Sequence, residues 1–286
     1  MRKLLQSSRP LRLLLCIVSL TFTVPALWGG TYRQIQVPGA TSTIPVGLNS
    51  KAQVVGHYSA SVGGFQGFVL SNGKFATVNY PHSVNSFLTG INASGELVGY
   101  YDDGFVIHGF TELNGEFTLI DYPSATNTYA YGINNAGNVV GAYQDQSDNW
   151  HGFEWDGANF TEFDAPNATQ TYTYGINTEG NTCGAYTDAQ GIQHGYVIQA
   201  GAFHIVNFPN SVGTSATGIN DQNQIAGTYV NTTFHNDGFV WSNGTFVTLN
   251  YPSSTSSGAN AINSTDTVVG YYFDSQGDLL GYVFQP

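Results

Sequence analysis

The stretch Gly132-Ile-Asn-Asn-Ala-Gly-Asn-Val-Val-Gly-Ala-Tyr143, followed by His151-Gly-Phe153 and Phe160-Thr-Glu-Phe-Asp-Ala-Pro166, decides the fold. The same pattern returns about every forty-three residues, and its copies begin at Gly47, Gly90, Gly132, Gly175, Gly218 and Ala261. A repeat of this length is typical of solenoids, propellers and arrays, in which one supersecondary unit is copied along the chain.

Each copy predicts four short strands, named a to d. Strand a ends in Gly-Ile-Asn, and a tight turn, often closed by Gly, leads to strand b with the pattern Val-Val-Gly-x-Tyr. Strand c begins with Gly-Phe or Gly-Tyr, and strand d begins with an aromatic residue and ends at a proline, which cannot donate to a ladder. Helical periodicity is absent from the repeats, so the pattern indicates an all-β fold.

The repeat is split between the two ends of the chain. The sixth copy has strands a, b and c but no strand d, whereas Gly30 to Pro38 matches the strand d of Gly244 to Pro252. We therefore predict a six-bladed β-propeller of four-stranded blades, formed by residues 30–286 as one domain. Its N-terminal strand, 31–37, should join the blade formed by 258–285 and close the ring, which leaves no open sheet edge.

The repeat resembles that of a known family. The Gly-Ile-Asn, Val-Val-Gly-x-Tyr and aromatic–Asp-x-Pro elements, with the triplets His108-Gly-Phe110, His151-Gly-Phe153 and His194-Gly-Tyr196, are similar to the HAF-repeat family of extracellular bacterial proteins. The other three copies have Gln66, Asp237 and Leu280 in place of the histidine. The resemblance implies a secreted β-propeller-like repeat protein, and it implies no activity.

Residues 1–26 are predicted to be a signal peptide. Basic residues from Arg2 to Arg12 precede the apolar run from Leu13 to Val24, and small residues near Ala26 suit cleavage. We therefore expect a secreted protein, either extracellular or on the cell surface.

The chain that remains after this segment is strongly acidic. It contains three basic residues, Arg33, Lys51 and Lys74, and nineteen Asp and Glu residues, which gives a net charge of 3 − 19 = −16. Nucleic acid and anionic membranes bind clustered basic side chains, so neither is expected as a partner, and neither are heparin and polyuronate. We expect a monomer.

Candidate ligand residues recur with the repeat, which favours structural roles. The Asn of each Gly-Ile-Asn should bond backbone in the a–b turn. His108, His151 and His194 begin strand c in different blades, so they should be structural and too far apart to share a metal ion. The acidic b–c loops, such as Asp145 to Asp148, lack the spacing of a known calcium loop. Plain turns are the favoured interpretation, and calcium stays open as an alternative; no other cofactor is expected.

No catalytic residue is predicted. The carboxylates follow no motif and Gly-x-Ser-x-Gly is absent. Carboxylate pairs can nevertheless arise from distant repeats, so a glycoside hydrolase acting on neutral polysaccharide stays open as an alternative.

The candidate ligand site lies in the segments between strands d and a, which vary most between copies. Two of them contain paired tyrosines, Tyr129 with Tyr131 and Tyr172 with Tyr174. Tyrosine rings beside uncharged hydrogen-bonding residues suit a neutral sugar, and loops on one propeller face commonly carry function. The alternative is that these rings pack between blades.

Three functions are therefore weighed: a secreted binding module for a ligand such as a neutral glycan, a glycoside hydrolase, and a purely structural surface protein. An aromatic, uncharged channel mouth would favour the binding module. Three or more carboxylates converging there would favour the enzyme, and a filled channel would favour the scaffold.

Overall fold

The computed structural model describes residues 29–60 and 63–286. The predicted signal peptide, residues 1–26, lies outside this range. The regular secondary structure of the described residues consists of β-strands alone. Within that range there is no helix with the length and hydropathy of a membrane crossing.

The strands form six antiparallel sheets of four strands each, arranged in a ring as a six-bladed β-propeller. Blade 1 contains Ala40–Leu48 (β2), Val54–Ala60 (β3), Phe65–Ser71 (β4) and Lys74–Thr77 (β5). Blade 2 contains Asn85–Ile91 (β6), Leu97–Asp102 (β7), Ile107–Leu113 (β8) and Glu116–Ile120 (β9). Blade 3 contains Asn127–Ile133 (β10), Val139–Gln144 (β11), Trp150–Trp155 (β12) and Phe160–Phe163 (β13).

The second half of the ring repeats this order with one change. Blade 4 contains Gln170–Ile176 (β14), Thr182–Thr187 (β15), Gln193–Gln199 (β16) and Ala202–Ile205 (β17). Blade 5 contains Gly213–Ile219 (β18), Ile225–Val230 (β19), Asn236–Ser242 (β20) and Thr245–Leu249 (β21). Blade 6 contains Ser256–Ile262 (β22), Val268–Phe273 (β23) and Leu279–Gln285 (β24), and its fourth strand is Thr31–Ile35 (β1).

The predicted closure of the ring is confirmed. Strand β1 pairs antiparallel with β24, with Thr31 opposite Gln285 and Ile35 opposite Gly281. Strand β1 does not pair with any strand of blade 1. The observed strand is two residues shorter than the predicted 31–37.

The glycine of Gly-x-Tyr is required by a close approach within each blade. A Cβ at Gly141 would overlap the carbonyl oxygen of Tyr129 on the neighbouring strand. The ladder between β10 and β11 also shifts register between Ala130 and Gly132, which bends the innermost strand. A side chain at Gly141 would push β10 away from β11.

The six Asn of Gly-Ile-Asn join the blades in a closed circle. In blade 3, Asn134 Oδ1 accepts the backbone N–H groups of Ala136 and Asn138, each at 3.0 Å, as predicted for the a–b turn. Its Nδ2 donates across the blade boundary to Asn177 O at 3.2 Å. The same inter-blade bond recurs in every blade, and Asn263 donates to Asn49 O at 3.1 Å to complete the circle.

The channel and its two faces follow from the order of the strands. The first strand of every blade contacts the first strands of both neighbouring blades, so these six strands surround a central channel. The Asn circle lies where they end, and we call that side the Asn face. The opposite side, where the first strands begin and the b–c loops lie, is called the entry face; there Asn127 pairs with Gln144, and Gln144 with Trp150.

Candidate functional site

The entry face holds a cavity of about 490 Å³ at the mouth of the channel. We call it the mouth cavity. Its volume is within the range of about 300–1,000 Å³ that small-molecule sites occupy. The cavity is lined by Ile44, Val46, His57, Thr89, Tyr100, Tyr131, Tyr174, Thr217, Asn236, Asn260, Tyr271, Phe273 and Leu279.

The channel narrows below this cavity. Aliphatic side chains at the ends of the first strands line both smaller cavities nearer the Asn face, of about 90 and 100 Å³: Leu48, Ile91, Ile133, Ile176, Ile219 and Ile262. Only the mouth cavity, among these three, has room for a ligand of saccharide size.

Two positions of the repeat supply most of the lining. The residue before the glycine of Gly-Ile-Asn supplies Val46, Thr89, Tyr131, Tyr174, Thr217 and Asn260. The middle residue of Gly-x-Tyr supplies His57, Tyr100 and Tyr271. In blades 3 and 4 the first position is tyrosine, and there the second position is alanine, Ala142 and Ala185. The scaffold is therefore repeated, whereas the chemistry of the cavity wall differs from blade to blade.

The polar residues at the first position are engaged with the neighbouring blade. Thr89 donates to Ala130 O at 2.9 Å, and Asn260 donates to Pro45 O at 2.7 Å. The hydroxyl of Thr217 makes the equivalent bond between blades 5 and 6, to Ala259 O at 2.7 Å. These three side chains help to join the blades, and each commits a donor to that bond while its oxygen can still accept.

Tyr131 and Tyr174 differ from these residues because their hydroxyls form no hydrogen bond within the described part of the chain. Their rings meet edge to face, with centroids 5.2 Å apart. Burial raises the pKa of Tyr131 and of Tyr174, and the neighbouring tyrosines raise both further. The phenols stay neutral at physiological pH, and each can donate a hydrogen bond into the cavity.

The structure corrects the predicted location of the four tyrosines. Tyr129 and Tyr131 lie on β10, and Tyr172 and Tyr174 lie on β14, rather than in the connecting loops. The strands begin earlier than predicted because alternation continues through Thr128 and Ala130, which are fully buried against the rest of the blade.

Only two of the four tyrosines line the mouth cavity. Tyr129 and Tyr172 instead hold Trp150 between them, with centroids 5.4 and 5.5 Å from the indole. This cluster joins blades 3 and 4. Tyr129 and Tyr172 therefore pack between blades, which was the alternative to ligand binding. A cavity of about 290 Å³ lies beside Trp150 at the same boundary.

His57 is a cavity residue that the sequence analysis missed. Its Nδ1 is buried and has no hydrogen-bond partner within the described residues, and its ring lies edge-on to Phe65 and Phe87. Burial lowers the pKa of His57 to about 4, so the imidazole is neutral at physiological pH. One sequence feature could have identified it: this is the one copy of the repeat with a histidine between the Gly and Tyr of Gly-x-Tyr.

The strand-c histidines lie apart from the cavity, each in its own blade, as expected. His151 Nδ1 lies 2.8 Å from Asp164 Oδ2, and His108 Nδ1 lies 3.0 Å from Asp121. His194 bonds Asn207 and Asp188, at 2.8 and 3.0 Å.

In blade 3, Glu162 lies beside the His151–Asp164 pair, a grouping that the sequence alone did not predict. One ligand atom from each of these residues lies within 4.8 Å of the others, so the three side chains could hold a metal ion. Tyr143 donates to Glu162 as well.

The acidic b–c loops use their carboxylates within their own turns. Asp145 Oδ1 accepts the backbone N–H groups of Ser147 and Asn149, and the bonds from Asn149 and Ser147 are the main reason that its pKa is lowered to about 2. Asp188 Oδ1 makes the same contacts with Gln190 and Ile192. These are the contacts of a plain turn.

The comparisons with known proteins identify the fold and no family. No family model matches the chain, and no curated protein matches it. Among solved structures, it is similar to AofleA from Arthrobotrys oligospora, with a TM-score of 0.57 and 14% identity over 90% of this chain and 86% of that one. Another is the Aleuria aurantia lectin bound to Fucα1-6GlcNAc, with a TM-score of 0.55 and 13% identity over 85% of this chain and 91% of the lectin. A third is XC5397 from Xanthomonas campestris, described as a gluconolactonase, with a TM-score of 0.52 and 12% identity over 91% of this chain and 90% of that one.

Proposed function

We propose that this propeller is a carbohydrate-binding module that takes a neutral saccharide into the mouth cavity. The observation that carries the proposal is the chemistry of the cavity wall. Among the described residues, its lining contains four tyrosines, four short polar side chains and His57, but no Asp, Glu, Lys or Arg. Aromatic rings offer faces for sugar C–H groups, while hydroxyl and amide groups hydrogen-bond to sugar hydroxyls.

Tyr131 and Tyr174 are the ligand contacts in this proposal. Both line the cavity, and both hydroxyls are free to bond a ligand. Tyr129 and Tyr172, which were predicted as direct contacts, act instead by fixing Trp150 and the adjoining strands. His57 faces the same cavity and supplies a neutral imidazole.

The similar structures support the ligand class by analogy. The Aleuria aurantia lectin was solved in complex with Fucα1-6GlcNAc, and the SapL1 lectin in complex with α-methyl fucoside. At 13% and 12% identity these proteins share a fold with this chain, and their ligands serve here as the first probes.

The alternative functions have less support. A glycoside hydrolase needs a pair of carboxylates flanking the substrate, and no carboxylate lines the mouth cavity in the described part of the chain. A scaffold with a filled channel is disfavoured by the 490 Å³ of open volume.

Export is part of the same proposal, because the protein must leave the cell to meet an extracellular glycan. Cleavage near Ala26 is expected, and mass spectrometry of protein recovered from the medium tests it. Secreted protein that retains Met1 to Val24 would contradict export by this signal.

The proposal is tested on a neutral glycan array, with α-methyl fucoside and Fucα1-6GlcNAc as the first soluble probes for calorimetry. Stacking on one aromatic ring contributes about 1 kcal/mol, so the double variant Tyr131→Ala, Tyr174→Ala should bind any hit at least about tenfold more weakly. Phe at both positions separates stacking from hydrogen bonding. If the Ala variant melts far lower while affinity per folded molecule is unchanged, the rings serve blade packing and the site is wrong.

A further inference from the structure

A second cleft lies on the opposite face, at the seam where blade 6 meets blade 1. Its volume is about 380 Å³, and we call it the seam cleft. One wall comes from β1 and the end of β24, and the other from the turns and strands of blade 1. It is lined by Arg33, Gln34, Ile35, Gln36, Leu48, Lys51, Ala52, Val54, Leu70, Asn72, Gly73, Phe75, Thr267, Val283 and Gln285.

Two of the three basic residues in the described part of the chain line the seam cleft. Arg33 and Lys51 line it, and Lys74 lies between the lining residues Gly73 and Phe75. These three are all the Lys and Arg of the described residues, and all three are exposed. Every ion pair found in that part of the chain involves a histidine, so none of the three cations has a carboxylate partner within 4.0 Å.

This grouping is informative because the rest of the surface has the opposite sign. Nineteen carboxylates are distributed over the chain, yet none of them lines this cleft in the described residues. Like charges repel one another, and cations on an acidic protein would be stabilised by dispersal among the carboxylates. A cleft that keeps its cations together and unpaired presents a local positive potential to a ligand.

The remaining lining defines the shape of that ligand. Leu70, Phe75 and Val54 are among its apolar lining residues, and Gln34 and Asn72 add amide groups to the lining. We propose that the seam cleft binds a small organic anion, with its anionic head group between Arg33 and Lys51 and its apolar body on the Phe75 side. Polyanions are still not expected to bind, since the protein as a whole is strongly acidic.

The site would exist only in the closed ring. Arg33 is on β1, whereas Lys51 belongs to blade 1, so the pairing of β1 with β24 places both residues at one cleft. The seam cleft is independent of the neutral-sugar site, because it opens on the other face and shares no lining residue with the mouth cavity.

A pair of fluorescent probes tests the proposal on the full folded protein. The first is 8-anilinonaphthalene-1-sulfonate, which joins an anionic group to an apolar body, and the second is its uncharged analogue N-phenyl-1-naphthylamine. We expect one sulfonate probe per protein, with affinity that falls as salt is added. The double variant Arg33→Gln, Lys51→Gln should weaken that probe at least about tenfold, because two charge-assisted contacts are lost. These side chains are exposed, so folding should be preserved, as a melting curve will verify.

Two matched variants complete the design. Arg33→Lys with Lys51→Arg keeps both charges and should retain most of the binding. Tyr131→Ala with Tyr174→Ala alters only the mouth cavity and should leave sulfonate binding unchanged. The proposal is overturned if the Gln variant binds the sulfonate as tightly as the natural chain, if the neutral analogue binds equally well at the cleft, or if only the tyrosine variant loses binding.

Discussion

Tyr196 and Tyr282 occupy the same position in two blades, yet a hydroxyl partner is present in only one of them. Both rings are fully buried in the middle of the third strand of the blade, where the other four blades have phenylalanine. Tyr196 Oη bonds Thr173 Oγ1 at 2.8 Å and Tyr172 O at 3.2 Å. In blade 6 the residue matching Thr173 is Ala259, and the Tyr282 hydroxyl has no partner in the described residues.

The two substitutions to phenylalanine should therefore change the free energy of unfolding in opposite directions. A buried hydroxyl without a partner costs about 1–3 kcal/mol, so Tyr282→Phe should stabilise the protein by about 1 kcal/mol. Tyr196→Phe removes two hydrogen bonds and leaves the buried hydroxyl of Thr173 without its tyrosine partner, so it should destabilise by about 1–2 kcal/mol. Each kcal/mol corresponds to a shift of about 2–4 °C in Tm for a domain of this size.

Urea unfolding and thermal melts of both variants measure this difference. The matched control is Thr173→Ala with Tyr196→Phe, which gives blade 4 the apolar pair that blades 3 and 5 have and should recover much of the loss. If Tyr282→Phe lowers stability by more than about 0.5 kcal/mol, the hydroxyl has a partner such as a buried water, and the reasoning is wrong.

Three further predictions concern the ring and its pH response. Asn134→Asp keeps the acceptor for the a–b turn but loses the donor to Asn177 O, so calorimetry should show a loss of about 1–2 kcal/mol; a stability equal to that of the natural chain would contradict the role of the Asn circle. Deleting residues 31–37 leaves β24 without its partner strand and should abolish the single cooperative melt, whereas an unchanged melt would refute the closing role of β1. His57 has a folded pKa of about 4 against 6.5 when unfolded, so the unfolded chain binds more protons between these values. Stability should fall by up to about 3 kcal/mol as pH drops from 6.5 to 4, and His57→Phe should remove that component, as urea titrations across this range will show.

The fold followed from the sequence because the repeat itself encodes it. Gly141, Asn134 and the strand-c aromatics recur at fixed offsets, and each has one structural task that the spacing reveals. The joining of β1 to blade 6 was predictable from the split repeat. The resemblance to the HAF-repeat family stays a prediction, as does the signal peptide.

The candidate site was only partly predictable. Tyr131 and Tyr174 were identified by composition, but Tyr129 and Tyr172 could not be separated from them, because the sequence does not show that Trp150 lies between blades 3 and 4. His57 was missed since a single histidine carries no motif.

The seam cleft was also missed. Arg33 and Lys51 come together only when the ring closes, so their spacing along the chain carries no signal.

The pairing of β1 with β24 also sets the order of events during folding. Strand β1 is made first and its partner almost last, so at about 5–20 residues per second the ribosome needs roughly 12–50 seconds between them. Until then blades 1 to 5 can form from local contacts, while β1 remains an unpaired edge that can recruit another chain. The final step is a contact between distant parts of the chain and is therefore expected to be slow. The nascent chain is thus expected to be most prone to aggregate before β24 has been made, and a chaperone that shields β1 would act in that interval.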